Sequence, residues 1–189
     1  MLASGSPQRR AILEQLGVEF SVQVSDVEEL EAGPPHEVAL ENAYRKASAV
    51  ASARAGIGIG PDAAAPVLGV DTVVALGARL YGKPGDTEEA RATLTALAGR
   101  RHAVVSGICL IEDGRSRTAA AQTAVEFRAL SDELLDWYLA SDEWRGRAGG
   151  YAIQGRGAAL VAAIQGDYLN VVGLPVATLL ELVPGLLGV

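Results

Sequence analysis

Asp71 stands alone in PVLGVDTVVAL, a run otherwise made of apolar and β-branched residues, the pattern of a strand buried on both faces. An ionised carboxylate in such a place is costly unless it is paired, hydrogen-bonded or bound to a metal. Asp71 is therefore either half of a structural ion pair with an arginine or lysine, or a catalytic or metal-binding group. Thr72 beside it points to the opposite sheet face if the strand is regular, or into the same cleft if the strand ends there. Glu28 and Glu29 follow directly after FSVQVSD, where one of them could reach a strand-end cleft as a second oxygen ligand for Mg²⁺ or Mn²⁺; a solvated acidic loop is the plain alternative. The opening LASGSPQRR brings the hydroxyls of Ser4 and Ser6, the backbone N–H groups of a helix N-terminus, and Arg9 or Arg10 into one short stretch. That is an anion site by geometry, although a capped helix with two solvated arginines accounts for the same residues. Lys83 sits in a Gly-Lys-Pro turn that fixes the backbone while the ammonium reaches inward, whereas Lys46, within a helical segment, is by itself an ordinary surface lysine. Positive groups for phosphates together with one buried and one exposed carboxylate for a metal point to phosphoryl chemistry on a small anion.

Other chemistries find little support. There is no Walker A sequence, zinc-ligand spacing or nucleophile elbow, and the glycines of GIGIGPD neither follow a strand nor open a helix. His36 and His102 are isolated, and the single cysteine, Cys109, lies in the apolar run SGICLI as a small buried hydrophobe. Trp137, Tyr138 and Trp144 are expected to pack a helix rather than to stack bases. The excess of 23 acidic over 16 basic residues, a net charge of −7, argues against general nucleic-acid binding. No charged segment followed by a long apolar run opens the chain, and Pro175, Glu181 and Pro184 interrupt its apolar end, so neither a secretory signal nor a membrane span is expected. A reducing cytoplasm fits.

The elements that must position these residues are set by periodicity and punctuation. With 189 residues, 49% of them hydrophobic, the chain can bury one sizeable core, and it is read as a single domain over 1–189. A helix from Ser6 to Leu16 is capped by Ser6, carries Pro7 at its first position and ends at Gly17. FSVQVSD alternates as a half-buried strand, and a long Ala-rich helix spans Pro35 to Ala55. GIGIGPDAAAP is a loop by composition, and PVLGVDTVVAL is a strand. GARLYGKPGDTEEA holds a turn, a short strand and the start of a helix capped by Asp86 or Thr87. HAVVSGICLIED and RTAAAQTAVEFRAL are strands joined by Asp113-Gly114, a hairpin signal. Ser131 to Leu139 is helical, AGGYAIQGRGAAL is a glycine-rich loop leading into a strand, and one helix closes the chain. Mixed strands and helices with an antiparallel ribbon indicate an α/β domain with a mixed sheet.

Taken together and in order, LASGSPQRRAILEQLG, GVDTVVAL, GKPGDTEEA, HAVVSG, GGYAIQGRGA and NVVGLP resemble the Maf family of nucleoside triphosphate pyrophosphatases over essentially the whole chain. The resemblance implies a mixed twisted sheet flanked by helices, with two lobes around a deep cleft as in the related inosine triphosphate pyrophosphatases, and usually a homodimer. It also implies hydrolysis between the α and β phosphorus atoms, giving nucleoside monophosphate and pyrophosphate with a divalent metal cation, Mg²⁺ or Mn²⁺. By motif, Ser4, Ser6 and Arg9 fall in the phosphate-binding loop. Glu29 matches the acidic residue after the second strand, Lys46 the helix lysine, Asp71 the catalytic aspartate and Lys83 the active-site lysine. Glu29 and Asp71 together are the implied metal ligands. Thr72 and Gln154 resemble the branch acting on dTTP and UTP, while Gln8 stands where that branch carries arginine, and Gly146-Arg147 replaces an Asp-Lys pair. Two other readings stay open: a nucleotide-binding regulator of septum formation with little hydrolysis, and the same reaction on a modified purine nucleotide such as 7-methyl-GTP.

Overall fold

The computed structural model describes residues 1–55 and 65–188; most of GIGIGPDAAAP, residues 56–64, lies outside the described residues. Helix α1 (Pro7–Gln15) starts where the sequence places it, with Ser6 as N-cap and Pro7 at the first turn. Helix α2 spans Pro35–Ala55. Strands β1 (Val67–Leu76) and β2 (Arg79–Tyr81) precede α3 (Thr87–Leu97), which is capped by Asp86. Strands β3 (Arg101–Glu112) and β4 (Arg115–Phe127) form the long hairpin. Its two-residue turn has Asp113 and Gly114 both at positive φ, 51° and 72°, as the twist of a tight hairpin requires. Beyond the hairpin come helix α4 (Asp132–Leu139), short 3₁₀ turns at Ala148–Gly150 and Arg156–Leu160, and strand β5 (Val161–Gln165).

The expected α/β class holds: one sheet of order β2-β1-β3-β4-β5 is flanked by helices. Its ladders are antiparallel. Among the described residues, the parallel component is confined to Leu2, which bridges both Val22 and Leu68. The strand expected in FSVQVSD is thus reduced to a bridge at Val22. Alternation alone does not make a strand; a partner must run alongside, and the chain start that pairs with Ser21 and Gln23 through Leu2 turns away at Ser4 into α1. The closing helix is also two helices, α5 (Tyr168–Val172) and α6 (Val176–Leu182). Gly173 at φ 124° and Pro175 break it, the first by a backbone conformation open to glycine, the second by removing an N–H donor and disfavouring helix at Leu174.

These pairings leave a gap. Along the outer edge of β1, Met1 and Ala3 bond to Leu68, and β2 pairs only with Val74 to Leu76. Among the described residues no strand covers the stretch between, and Asp71 and Thr72 lie within it. The two sides of the sheet are packed differently. Helix α2 lies on one side with Ala39, Ala43 and Ala47 fully buried. It approaches so closely that a Cβ on Gly69 would come 2.2 Å from Ala43 O, and one on Gly107 2.3 Å from Ala39 O. Only glycine permits this contact, which lets short side chains of α2 reach β1. On the other side Ile12, Leu13, Val70, Ile108, Leu174 and Leu179 form a second apolar cluster beneath α1 and α6. A third, around Leu94, Leu97, Phe127, Tyr138 and Trp144, gathers α3 and α4 against the far end of the sheet. Tyr138 and Trp144 pack as expected, but Trp137 is 45% exposed beneath Arg156, because the buried side of this short helix is taken by Leu135, Tyr138 and Leu139.

His102 lies in this last cluster, its Nε2 2.9 Å from the Tyr151 hydroxyl and its ring edge-on to Phe127 and Tyr151. Burial pushes the imidazole down from 6.5 to about 4. The unfolded chain takes up a proton that the folded chain refuses until about pH 4, so stability present above pH 6.5 is lost as pH falls through that window. We expect the stability difference between wild type and His102→Gln, measured by urea unfolding, to shrink by about 2–3 kcal/mol between about pH 7.5 and about pH 4.5. A pH-independent difference would show that the ring takes up its proton as readily in the folded chain as in the unfolded one.

Candidate active site

The gap on β1 opens into a cleft of about 510 Å³, and the structure brings together on its walls the residues that the resemblance marked out: Ser4, Ser6, Gln8, Arg9, Glu29, Lys46, Asp71, Thr72, Lys83 and Gln154; Glu28 and Arg10 do not line it. Asp71 and Thr72 project to opposite sides of a regular strand, yet both reach the cleft because it wraps around the uncovered strand edge.

Asp71 is 5% exposed and faces α2. Its Oδ1 accepts from Lys46 Nζ at 2.6 Å and its Oδ2 from Asn42 Nδ2 at 3.1 Å. Lys46 Nζ also lies 2.8 Å from Glu29 Oε1, so one ammonium joins both carboxylates. Lys46 is not the surface lysine its local sequence suggests: it is 8% exposed, on the side of α2 that the close contact at Gly69 brings down on β1. Asn42 does a second job, accepting from the Leu30 N–H at 2.7 Å and donating to the Leu30 carbonyl at 3.1 Å, which fixes the segment carrying Glu29. Glu29 itself is partly exposed, as expected of it. The salt bridge that offered a purely structural account of Asp71 is present, but it lies in the cleft wall. Among the described residues no three His, Cys, Asp or Glu side chains cluster as a complete metal cage. Two converging carboxylates suit a hard cation that draws its remaining oxygens from phosphates and water.

The second wall is built on α1. Arg9 turns inward and Arg10 outward, where it pairs with Glu14 at 2.8 Å. Arg9 is 8% exposed and donates from Nη1 to Ser4 Oγ at 2.8 Å, from Nη2 to Thr72 Oγ1 at 3.1 Å and from Nε to Gly173 O at 2.8 Å. It thereby ties the opening loop, β1 and the α5–α6 turn together. Burial lowers its pKa, opposed by the charges of Asp71 and Glu29, and the group remains a cation. The helix N-terminus offers fewer free N–H groups than the sequence suggests. Pro7 has none, the Arg9 N–H goes to Ser6 Oγ at 3.5 Å, and the Ser6 N–H goes to Ser4 Oγ at 3.3 Å, which leaves Gln8. Thr72 Oγ1 also lies 2.8 Å from the buried Ser106 Oγ.

Lys83 is exposed at the turn between β2 and α3, and Gln154 is exposed in the glycine-rich loop. Arg145 and Arg147 line the cleft as well. Arg145 pairs with Asp142 at 3.0 Å and lies over the Trp144 ring. Among the described residues the side chain of Arg147 makes no ion pair, and its Nε is buried without a partner. Asn42 and Ser106 escaped sequence reasoning, and Arg147 was noted there only as a departure from the family pattern. Only Asn42 left a signal, standing four residues before Lys46 beside the buried alanine stripe of α2.

This geometry can grip an anion and hold a fixed carboxylate beside it. Comparison with protein families matches residues 1–186 to the family described as Maf-like protein. Among curated relatives, a protein named "dTTP/UTP pyrophosphatase" from Pyrococcus furiosus is 42% identical over 185 residues, covering 97% of this chain and 93% of its own length. Proteins of the same name from Symbiobacterium thermophilum and Myxococcus xanthus are 43% and 46% identical; each alignment covers 93% of this chain, and 87% and 86% of the respective relative. With a family match running nearly from end to end and relatives of this identity aligned over almost their full length, the chain belongs to the Maf-like family.

Proposed function

We propose that the protein hydrolyses nucleoside triphosphates between the α and β phosphorus atoms, releasing nucleoside monophosphate and pyrophosphate, with dTTP and UTP as its foremost substrates. One observation carries this reading: a buried carboxylate, Asp71, is fixed on one oxygen by Asn42 and on the other by Lys46, at the open strand edge of a cleft supplied with cations. The relatives named dTTP/UTP pyrophosphatase support it.

In this reading Asp71 accepts the proton of the water that attacks the α phosphorus, and its two fixed contacts, one on each oxygen, hold the carboxylate in place. Ser4, Ser6 and the Gln8 N–H hold phosphate oxygens at the α1 end, with Arg9 stiffening that loop from behind. Lys46 and Lys83 oppose the negative charge that grows on the departing pyrophosphate. Glu29 and Asp71 are the residues that would hold Mg²⁺ or Mn²⁺; such an ion, when bound, polarises phosphoryl oxygens and offsets leaving-group charge. Gln154 carries two donors and one acceptor suited to a pyrimidine edge. Gln8 and Thr72 line the same pocket, although the Thr72 hydroxyl is already engaged by Arg9 and Ser106.

The test is pyrophosphate release across dTTP, UTP, CTP, 7-methyl-GTP and ITP, with and without Mg²⁺. Release led by dTTP and UTP and dependent on the metal is expected. A strong purine preference would overturn the pyrimidine assignment, and nucleotide binding without release would point to a regulator. The same reading takes the protein as a cytoplasmic homodimer, which sedimentation and cell fractionation would check; no described helix is long and apolar enough to cross a membrane.

A further inference from the structure

Five cations line the cleft, and their commitments differ. Arg9 spends its N–H groups on Ser4, Thr72 and Gly173, Lys46 sits between Glu29 and Asp71, and Arg145 pairs with Asp142. Among the described residues the side chains of Lys83 and Arg147 have no hydrogen bond or ion pair. Arg147 goes further, because its Nε is buried with no partner at all. Removing a charged donor from water without a partner is costly, and a cleft is where a ligand can offset that cost.

These two free cations share a wall. Arg147 opens the turn Ala148–Gly150, whose Gly149 N–H donates at 3.0 Å to the carbonyl of Gly82, the residue before Lys83. Gly150 lies against Pro84 just beyond it, with space for a Cβ only 3.2 Å from the ring. The two segments are thus clamped together, while Asp71, Glu29 and the Ser4–Ser6 loop belong to other elements.

We infer that Arg147 is a substrate-binding residue that, with Lys83, grips the end of the phosphate chain that leaves as pyrophosphate. The inference rests on the proposed triphosphate hydrolysis. If Asp71 faces the attacked phosphorus, the wall of Lys83 and Arg147 is left for the rest of the chain. A planar guanidinium can meet two oxygens of one phosphate at once, which an ammonium cannot.

Arg147→Met and Arg147→Lys in the full-length protein test this. Arg147→Met should raise both the KM for dTTP and the inhibition constant of inorganic pyrophosphate by about 10- to 100-fold, the loss of one charged hydrogen-bonding group. Affinity for thymidine monophosphate, measured by calorimetry, should stay unchanged, and the melting temperature should hold or rise. Arg147→Lys should recover part of the loss. Pyrophosphate inhibition within twofold of wild type, or a fall in melting temperature with unchanged nucleotide constants, overturns the inference. If the wild type turns over dTTP normally and Arg147→Met matches it, the inference alone fails; if the wild type neither binds nor hydrolyses any nucleotide, both fail.

Discussion

Asp71→Asn is expected to cut pyrophosphate release from dTTP by about a thousandfold, while the protein stays folded. The substitution keeps the shape of the side chain and removes two things. The amide cannot take a proton from water, and it cannot satisfy both of its neighbours. Lys46 Nζ and Asn42 Nδ2 are both donors, so one half of the new amide must face a donor with its own NH₂ group. Asn42 cannot turn to accommodate it without losing its two bonds to Leu30. Lys46 keeps Glu29, so no charge is stranded and the effect on folding is small. Circular dichroism and thermal melting should resemble wild type. A variant that releases pyrophosphate at near-wild-type rates would remove Asp71 from the reaction.

Lys46→Met should damage both activity and stability. Without the ammonium, Asp71 is left buried with only Asn42 as partner, and Glu29 becomes a like charge beside it. Breaking a buried pair on one side costs about 3–5 kcal/mol. The lower end applies here because Glu29 is 39% exposed and can turn to solvent. In a chain of this size a loss of about 3 kcal/mol corresponds to a fall in melting temperature of about 6–12 °C. Turnover should fall by about a hundredfold as the orientation of Asp71 is lost. Adding Asp71→Asn to Lys46→Met should restore most of the lost stability, because the stranded charge is gone. No recovery would mean that Lys46 supports the fold through its aliphatic stem.

The elements written in local chemistry were legible in the sequence. The alanine-rich α2, the β-branched β1, the Asp-Gly hairpin and the Ser6 and Asp86 caps each depend on residues within a few positions of one another. The misreadings concern partners supplied from elsewhere. FSVQVSD alternates correctly, yet among the described residues only Val22 finds a bridge partner, Leu2. The closing apolar stretch has helical composition, yet Gly173 turns the chain so that its carbonyl can receive Arg9 Nε, 164 residues away in sequence.

The site shows the same division. Asp71 was conspicuous because one charge interrupts an apolar strand. Lys46 looked ordinary because nothing near it in sequence reveals that Gly69 and Gly107 let α2 settle onto the sheet. Asn42, Ser106 and the unpartnered Nε of Arg147 acquire meaning only from distances across the fold.

The central claim is that this cleft breaks the bond between the α and β phosphates and that Asp71 is required for it. Identification of the products formed from dTTP in the presence of Mg²⁺, by wild type and by Asp71→Asn side by side, tests this most directly. Thymidine monophosphate and pyrophosphate in equal amounts from the wild type, and almost none from the variant, is the expected result. Thymidine diphosphate with inorganic phosphate, or pyrophosphate release that survives Asp71→Asn, would contradict it.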